Sequence, residues 1–241
     1  METQPVVQRI INLARRWKVF RRLLVYLAGL FFCAFGVGFA ISSNLGLSPI
    51  NSLPYVVSQI TGIRMGLCLT VLLVFFMLLQ IIILRREFRW INLVQILFVN
   101  IFGPFVDMSN WILSDLQVST YFGQLAMLGI SIVLIAIGIT LYIDAQVMPL
   151  PAEALVIAIA YKIDSKFHRV KIVMDSTVVA TAILLSLIFL RELDGVREGT
   201  VISAVLVGKL MPLASRVFAP LLCKIGIKEV DAVVGAGFSR P

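Results

Sequence analysis

The sequence predicts an all-α polytopic membrane protein of two inverted-topology repeats, each with three transmembrane helices plus one short re-entrant helix. Three observations predict it: the composition, the six long apolar runs, and two short proline-initiated segments at matching positions. Of the 241 residues, 60% are hydrophobic and 14% are charged, whereas a soluble domain has about 25% charged residues. A chain with so little polar surface is typical of integral membrane proteins.

Six apolar runs reach the length of about 20 residues that a helix needs to cross a bilayer. Two further apolar segments, 48–61 and 149–162, are too short to cross. Ser48 followed by Pro49 is typical of a helix N-cap and first helical residue. We therefore expect two short helices that enter the membrane and return on the same side. The six long runs cover residues 23–43, 65–84, 90–112, 121–145, 170–190 and 201–223.

The N-terminal segment alternates apolar and basic residues at helical spacing over VVQRIINLARRWKVF, residues 6–20. This pattern predicts a basic amphipathic segment over residues 1–22 at the membrane interface. The apolar run that follows is longer than the hydrophobic region of a signal peptide, so we interpret it as a retained anchor. We assign membrane repeat 1 to residues 23–112, membrane repeat 2 to 121–225, and a cytoplasmic tail to 226–241.

The positive charges predict the topology. With both termini in the cytoplasm and the two short segments not crossing, fifteen Lys and Arg residues fall inside. Only Arg64, Arg191 and Arg197 fall outside. Because cytoplasmic loops carry an excess of Lys and Arg, this asymmetry favours six spans with both termini inside.

The two halves of the sequence match each other. A shift of 100 residues aligns the breaks after the first spans, and a shift of 105 aligns the later spans. The first copy starts inside and the second starts outside, so the repeat is inverted, which is typical of transporters with a site near the midplane. The aligned pairs are Gly38 with Gly138, Asn44 with Asp144, Pro49 with Pro149, Thr70 with Asp175 and Gly103 with Gly208.

The two breaks predict a binding site. Irregular backbone cannot face lipid, because its unpaired N–H and C=O groups are costly there, so the breaks must be buried or line a wet cavity. Two half-helix N-termini entering from opposite sides would offer free N–H groups and partial positive charge to a solute. Segments that only complete helix packing remain an alternative. The substrate-binding candidates are Pro49, Asn51, Ser52, Pro149 and Glu153.

Glu153 is the most specific of these candidates. It lies in the predicted first turn of the second short helix, where the helix dipole favours a carboxylate. It could carry a coupling proton or cation, or contact a cationic or hydrogen-bonding substrate. A helix-start carboxylate at a partly wet surface is the alternative. The first short helix carries the neutral residues Asn51 and Ser52 in the same turn.

Charged residues inside the spans cost about 2.5–3.5 kcal/mol on insertion scales, so they are candidates for coupling groups or structural ion pairs. Lys209, near the middle of the last run, needs a partner, and the sequence leaves Asp175, Asp107 and Glu153 open. The neutral residues Gln80 and Gln95 are expected to tie helices together. The coupling or ion-pair candidates are Asp107, Asp144, Asp175 and Lys209.

Enzyme signatures are sparse. The HExxH, GxSxG and P-loop patterns are missing, and the three cysteines form no CxxC or Cys/His pattern. The single histidine, His168, lies in a basic loop. We therefore expect no enzyme activity, no metal and no cofactor. In this setting the positive charge favours contact with anionic membrane lipid over nucleic acid.

Two stretches resemble a known family. GVGFAISSNLGLSPINSLPYVVSQITG and the following MGLCLTVLLVFFMLLQIIILRR are similar to the YczE/YyaS/YitT-like bacterial integral membrane proteins. The resemblance extends over most of residues 22–225 and depends on a Gly/Pro-punctuated pattern. It implies a small protein of the bacterial cytoplasmic (inner) membrane, with transport among the expected roles. It carries no site residues over.

The function that this sequence favours is secondary transport of a small, unidentified solute, bound where the two short helices meet. Two other functions stay open. A solute-binding membrane subunit of an ATP-driven importer would bind its solute tightly but not transport it alone. A non-transporting membrane scaffold for a biosynthetic enzyme would tolerate the substitution Glu153→Gln.

Overall fold

The protein is all-helical in the part of the chain that its computed structural model describes, residues 4–116, 118–192, 195–225 and 227. Side chains are described from residue 19 onward, except that of His168. Short 3₁₀ turns occupy Arg85–Glu87 and Trp90–Leu93, and a π-helical segment, Ser186–Leu190, extends the seventh helix. The eight α-helices are α1 Gln4–Ser43, α2 Pro49–Thr61, α3 Met65–Leu84, α4 Val94–Leu113, α5 Tyr121–Asp144, α6 Pro151–Lys162, α7 Phe167–Leu185 and α8 Glu198–Lys224.

Six described helices are long and apolar enough to cross a membrane, which confirms the six predicted spans. Trp90 and Trp111 mark the two ends of the third span, and both are largely exposed. Their 21-residue separation corresponds to about 30 Å along a helix, the thickness of the hydrocarbon core. Tryptophan is enriched at both membrane interfaces, so these positions fit a spanning helix. The spans are Val19–Ser43, Met65–Glu87, Trp90–Leu113, Tyr121–Asp144, Arg169–Leu190 and Glu198–Lys224.

The basic N-terminal segment belongs to the same helix as the first span. The backbone of α1 continues without interruption from Gln4 to Ser43. The described backbone therefore has no break in the helix at residue 22. The location of residues 1–22 at the membrane surface stays a prediction.

The two short helices also occur where the sequence predicts them. Helix α2 has 13 residues and α6 has 12, so each is about 20 Å long and shorter than the hydrocarbon core. Helix α2 starts at Pro49 after the N-cap Ser48, as predicted. Helix α6 starts at Pro151 after Leu150, so Pro149 precedes the helix. Proline at the first helical position loses no hydrogen bond, which explains both starts.

The first spans of the two halves pack against each other in opposite directions. A Cβ added at Gly29 would meet Gly138 and Tyr142, whereas one added at Gly36 would meet Ser131 and Ile135. Later residues of α1 therefore contact earlier residues of α5, which makes the pair antiparallel. Small residues allow the two backbones to approach closely, as is common between membrane helices.

The remaining helices pack around this pair in two sets. Helix α4 packs on α1, and α8 packs on α5. Helix α2 packs on α7, and α6 packs on α3. Each short helix therefore lies mainly against the second span of the other half of the chain.

The first and third spans of each half contact each other at the same offset in residue number. Ser42 Oγ donates to the Leu113 carbonyl of α4 at 3.4 Å, across a separation of 71 residues. In the second half, Thr140 Oγ1 donates to the Met211 carbonyl at 3.3 Å, again across 71 residues. A second contact in each pair of helices gives their relative direction. Tyr26 packs on Phe98, and Asp144 accepts a hydrogen bond from Ser215. The partner's number increases along both helices, so α1 and α4 are parallel, and so are α5 and α8.

Local backbone geometry recurs at a constant spacing of 102 residues. Asn44 and Gln146 both have φ of 53°. Gly62 and Asp164, which follow the two short helices, have φ of 71° and 48°. The helix starts Pro49 and Pro151 have the same spacing. The sequence shift of 100 residues, which pairs Asn44 with Asp144 and Pro49 with Pro149, is therefore two residues smaller than the spacing in the structure.

The two halves differ where the second and third spans meet. Helices α3 and α4 pack closely at Gly66 and Gly103, whose added Cβ atoms would clash with the opposite backbone. Gly208, which the shift of 105 pairs with Gly103, has no atom within 4 Å of an added Cβ. The corresponding face of α8 is therefore open.

The close contact between α1 and α5 can be tested with two substitutions on one helix. Gly138→Val puts a branched side chain against Cys33 and the Gly29 backbone, and overpacking of this kind costs about 1–3 kcal/mol. Gly129→Val points into open space on α5. We expect the apparent melting temperature of the purified protein to fall by several degrees for Gly138→Val and to stay near wild type for Gly129→Val. Equal losses for both variants would contradict this packing.

Candidate functional site

The start of α6 lies inside the protein. Ala152 and Leu155 belong to the main buried core, together with Tyr26 of α1, Phe98 of α4 and Tyr142 of α5. A helix start has backbone N–H groups without intrahelical partners and a partial positive charge. The first turn of α6 therefore brings polar backbone into an otherwise apolar core.

Glu153 is the third residue of α6, in the first turn as predicted. Its Oε2 atom is buried and has no hydrogen-bond partner. The carboxyl lies close enough to Tyr26, Tyr142, Lys171 and Asp175 to interact with them electrostatically. Burial raises the pKa of the Glu153 carboxyl, whereas the nearby Lys171 ammonium and a hydrogen bond from the Tyr142 hydroxyl oppose this rise.

The cation nearest to Glu153 in this group is already paired. Lys171 Nζ lies 2.6 Å from Asp175 Oδ1, one turn along α7. Asp175, which the sequence analysis named as a coupling or ion-pair candidate, therefore forms an ion pair with Lys171. Lys209, for which the sequence left Asp175, Asp107 and Glu153 as partners, forms no ion pair with a described residue. Its side chain is exposed on α8.

Among the other buried polar atoms without partners in the described residues, those of three core side chains bear on this site. The Tyr26 hydroxyl, the Gln80 Oε1 atom and both amide atoms of Gln95 are unpartnered, and these residues are 0%, 4% and 1% exposed. Leaving a buried polar group unpaired costs about 1–3 kcal/mol. Native proteins contain few such groups, so several near one helix start require an explanation.

These side chains belong to helices α1, α3 and α4, which contribute to the same buried core as the start of α6. The ring of Tyr26 packs 4.4 Å from that of Phe98 and 5.9 Å from that of Tyr142, measured between centroids. Gln95 precedes Phe98 by three residues and therefore shares its face of α4. Helix α6 packs on α3, which carries Gln80. We call Tyr26, Gln80, Gln95 and Glu153 the buried polar cluster.

The sequence signal for this cluster was weak. Gln80 and Gln95 were expected to tie helices together, but both amide atoms of Gln95 and the Oε1 atom of Gln80 have no hydrogen-bond partner. Tyr26 and Tyr142 were missed, because a tyrosine in an apolar span is ordinarily part of the core. Only the core that α1, α3, α4 and α6 share reveals that these residues come from helices that meet.

The start of α2 carries the other predicted site residues, and its polar groups are satisfied locally. Asn51 Nδ2 donates to Ser48 Oγ at 2.8 Å, and Ser52 Oγ donates to the Pro49 carbonyl at 2.7 Å. Asn51 is the third residue of α2, as Glu153 is of α6. Because α2 packs on α7 and α6 on α3, the five predicted site residues form two groups.

Two other intramembrane carboxylates tie helices together. Asp107 of α4 accepts a hydrogen bond from the Gly66 backbone N–H at 2.7 Å, which caps the start of α3. Asp144, at the end of α5, accepts one from Ser215 Oγ of α8 at 3.1 Å. Both contacts satisfy polar groups between neighbouring helices.

The chain that leads into α2 is held by the loop before α8. Arg197 Nη1 donates to the Asn44 carbonyl at 2.8 Å. Gly199 N–H donates to the Leu45 carbonyl at 2.8 Å, and Leu47 N–H donates to that of Gly195 at 3.1 Å. We call these three hydrogen bonds the 44–47 latch.

The positions related to the latch by the 102-residue spacing do not reproduce it. Gln95 lies 102 residues before Arg197, and its amide atoms have no partner. Pro149 lies 102 residues after Leu47 and has no N–H to donate. At this break the side chain of Gln146 instead accepts a hydrogen bond from Arg22 Nη2 at 3.3 Å. The two breaks are therefore secured differently.

The fold and site define an integral membrane protein with six helices able to span and two short helices between them. Residues 20–216 match the model of a family described as "Family of unknown function (DUF6198)", and the chain belongs to that family. It is 28% identical over 194 residues to the "Uncharacterized membrane protein YczE" of Bacillus subtilis (strain 168), covering 79% of this chain and 83% of that protein. These matches confirm the predicted YczE-like resemblance. No solved structure matches the chain.

Unpartnered amides inside the cluster lead to a stability prediction. Gln95→Met keeps the length of the side chain and removes its buried polar atoms, so we expect a gain of about 1–3 kcal/mol and a higher apparent melting temperature. Gln59→Met, on the exposed side of α2, should change stability by less than about 0.5 kcal/mol. A melting temperature of Gln95→Met below wild type would mean that the amide has a stabilising partner.

The cap that Asp107 provides for α3 gives a second prediction. Asp107→Ala removes the acceptor of the Gly66 N–H, and loss of a helix cap costs about 0.5–2 kcal/mol. Asp107→Asn keeps a carbonyl oxygen that can accept this bond, so its melting temperature should lie between those of wild type and Asp107→Ala. If Asp107→Asn is as unstable as Asp107→Ala, the stabilisation comes from the negative charge of Asp107 and not from a neutral hydrogen-bond acceptor at this position.

Proposed function

We propose that this chain is a secondary transporter of a small solute, built from two inverted repeats, in the bacterial cytoplasmic membrane. In this proposal α1–α4 form the first repeat, α5–α8 form the second, and α2 and α6 are re-entrant. The observation that carries the proposal is the 102-residue recurrence of a first span, a left-handed residue and a short proline-initiated helix. Interrupted helices at matching positions of inverted repeats are typical of transporters.

Helix packing supports the inverted repeat. An axis that exchanges the halves maps α1 on α5, and these helices are antiparallel, as the inversion requires. The same exchange maps the contact between α2 and α7 on that between α6 and α3. It also maps the parallel pair α1 and α4 on α5 and α8, with the register of 71 residues retained.

Charge supports the orientation. Lys162 at the end of α6 pairs with Glu87 after α3 at 2.8 Å, so the basic loops 85–89 and 162–171 lie at the same end of the bundle. Arg197 and Gly195 lie at the opposite end, beside the end of α1. Positive charge favours the cytoplasmic side, so the 44–47 latch faces outward and both termini lie in the cytoplasm.

The difference between the two breaks supports alternating access. The break at Asn44, which we call the outward break, is closed by the latch. At the break at Gln146, which we call the inward break, Gln95 is the counterpart of Arg197 and its amide atoms have no hydrogen-bond partner. We propose that this conformation is closed to the outside. In the opposite state the outer latch opens, the inner break closes, and Gln95 gains a partner there. The buried polar cluster lies beside the inward break and is the proposed solute site.

The latch gives a direct test by cysteine labelling in intact cells. In a background without Cys33, Cys68 and Cys223, the single cysteine of Asn51→Cys should react slowly with a membrane-impermeant maleimide added outside. Arg197→Ala removes the side-chain bond of the latch and should raise this rate about tenfold, equivalent to about 1.4 kcal/mol. Arg64→Ala, predicted on the same side and outside the latch, is the matched control and should leave the rate unchanged.

Two further cysteines check the topology in the same cells. Asp115→Cys should label from outside, and Lys166→Cys should label only after the membrane is permeabilised. Labelling of Lys166→Cys from outside would mean that a short helix crosses the membrane fully, and the inverted repeat would be wrong. An unchanged rate for Asn51→Cys when Arg197 is replaced would overturn the gating role of the latch.

A further inference from the structure

We propose that the buried polar cluster binds the protonated amino group of a small amine, an inference that deepens the proposed function by naming its substrate class. The cluster joins the start of a 12-residue helix to three side chains that are more than nine-tenths buried and carry unpartnered polar atoms. A ligand in this location would satisfy groups that the protein leaves unpaired.

The unpartnered atoms are mainly acceptors. The unpartnered oxygens of the glutamines, Gln80 Oε1 and Gln95 Oε1, accept hydrogen bonds and cannot donate them. Glu153 Oε2 is likewise an acceptor only when the carboxyl is ionised. A primary ammonium group has three N–H donors and no acceptor. Its donors therefore match the three acceptor atoms in number and in kind. The Tyr26 hydroxyl and Gln95 Nε2 remain able to donate to a second polar group on the same ligand.

Charge favours a cation over an anion. Glu153 is a carboxyl without a bound cation, because Lys171 pairs with Asp175 at 2.6 Å. A bound ammonium would provide the nearby positive charge that favours ionised Glu153, whereas a bound carboxylate would repel it. The partial positive charge at the N-terminus of α6 already interacts with Glu153 in the first turn of that helix. It therefore gives little reason to expect an anionic ligand.

Aromatic rings complete the site for an amine. Tyr26 packs against Phe98 and Tyr142 with centroids 4.4 and 5.9 Å apart. An ammonium within about 6 Å of such a ring is attracted to its face. Leu30 and Leu155 belong to the same apolar core as these rings, and this setting suits the carbon part of the ligand. The substrate class is therefore a small amine with an apolar body.

The test measures binding to the full-length protein in lipid nanodiscs with three probes of similar size and different charge. Isobutylammonium, isobutanol and isovalerate are titrated separately by calorimetry at pH 7. We expect saturable binding of isobutylammonium and at least tenfold weaker binding of the other two. Glu153→Gln should weaken isobutylammonium binding at least tenfold. Asp115→Asn, which removes an exposed carboxylate far from the cluster, should leave it unchanged.

The ammonium site is overturned by any of three results. These are no binding of isobutylammonium, equal or tighter binding of isovalerate or isobutanol, and binding that survives Glu153→Gln. A melting curve for each variant confirms that it is folded. Gln95→Met, which is expected to be more stable than wild type, provides a second folded variant with an altered cluster and should also weaken isobutylammonium binding.

A transport measurement separates this proposal from the transporter proposal. Uptake of the labelled probes is compared in proteoliposomes and in protein-free liposomes. Binding of isobutylammonium without protein-dependent uptake would keep the ammonium site and contradict transport of this substrate. Protein-dependent uptake of isovalerate without uptake of isobutylammonium would keep the transporter and overturn the ammonium site.

Discussion

The structure depends on one constraint, the need to pair every backbone N–H and C=O group that lies at membrane depth. The chain breaks after both first spans, at Asn44 and Gln146, so each break needs partners from elsewhere in the protein. At the first break the partners are Gly195 and Arg197 of the loop before α8, and Gly199 of the first turn of α8. The packing of each short helix on a span from the other half follows, because that arrangement buries both helix starts away from lipid.

At the second break the unpaired polar groups belong to side chains. Polar atoms of Tyr26, Gln80, Gln95 and Glu153 stay buried and unpaired around the start of α6. Such groups lower stability, and proteins commonly tolerate this loss at functional sites. The first half contains no equivalent strain at the start of α2, where Asn51 and Ser52 find partners within the turn. The asymmetry between two otherwise similar breaks is the reason for locating the proposed solute site in the second.

Much of the fold was predictable from local sequence. Apolar length predicted the six spans, and Ser48-Pro49 predicted the start of α2, because these signals act over a few neighbouring residues. The offset between the halves was harder, since proline occurs at both 149 and 151 and composition does not say which one starts α6. Partners of charged residues were not predictable, as Asp107 capping Gly66 and Lys209 on an exposed face of α8 illustrate. These contacts depend on how the helices rotate against each other.

The sequence by itself determined the class of protein, the number of spans, the two short helices and the position of Glu153 in a first helical turn. Hydropathy and proline placement suffice for these features because each depends on the transfer of a segment into lipid or on local backbone geometry. The tertiary structure alone decided which polar side chains share a buried core with the start of α6, since Tyr26, Gln80 and Gln95 come from three other helices. It also decided that one break is latched and the other is not, because hydrogen bonds between residues far apart in the chain require the packed bundle.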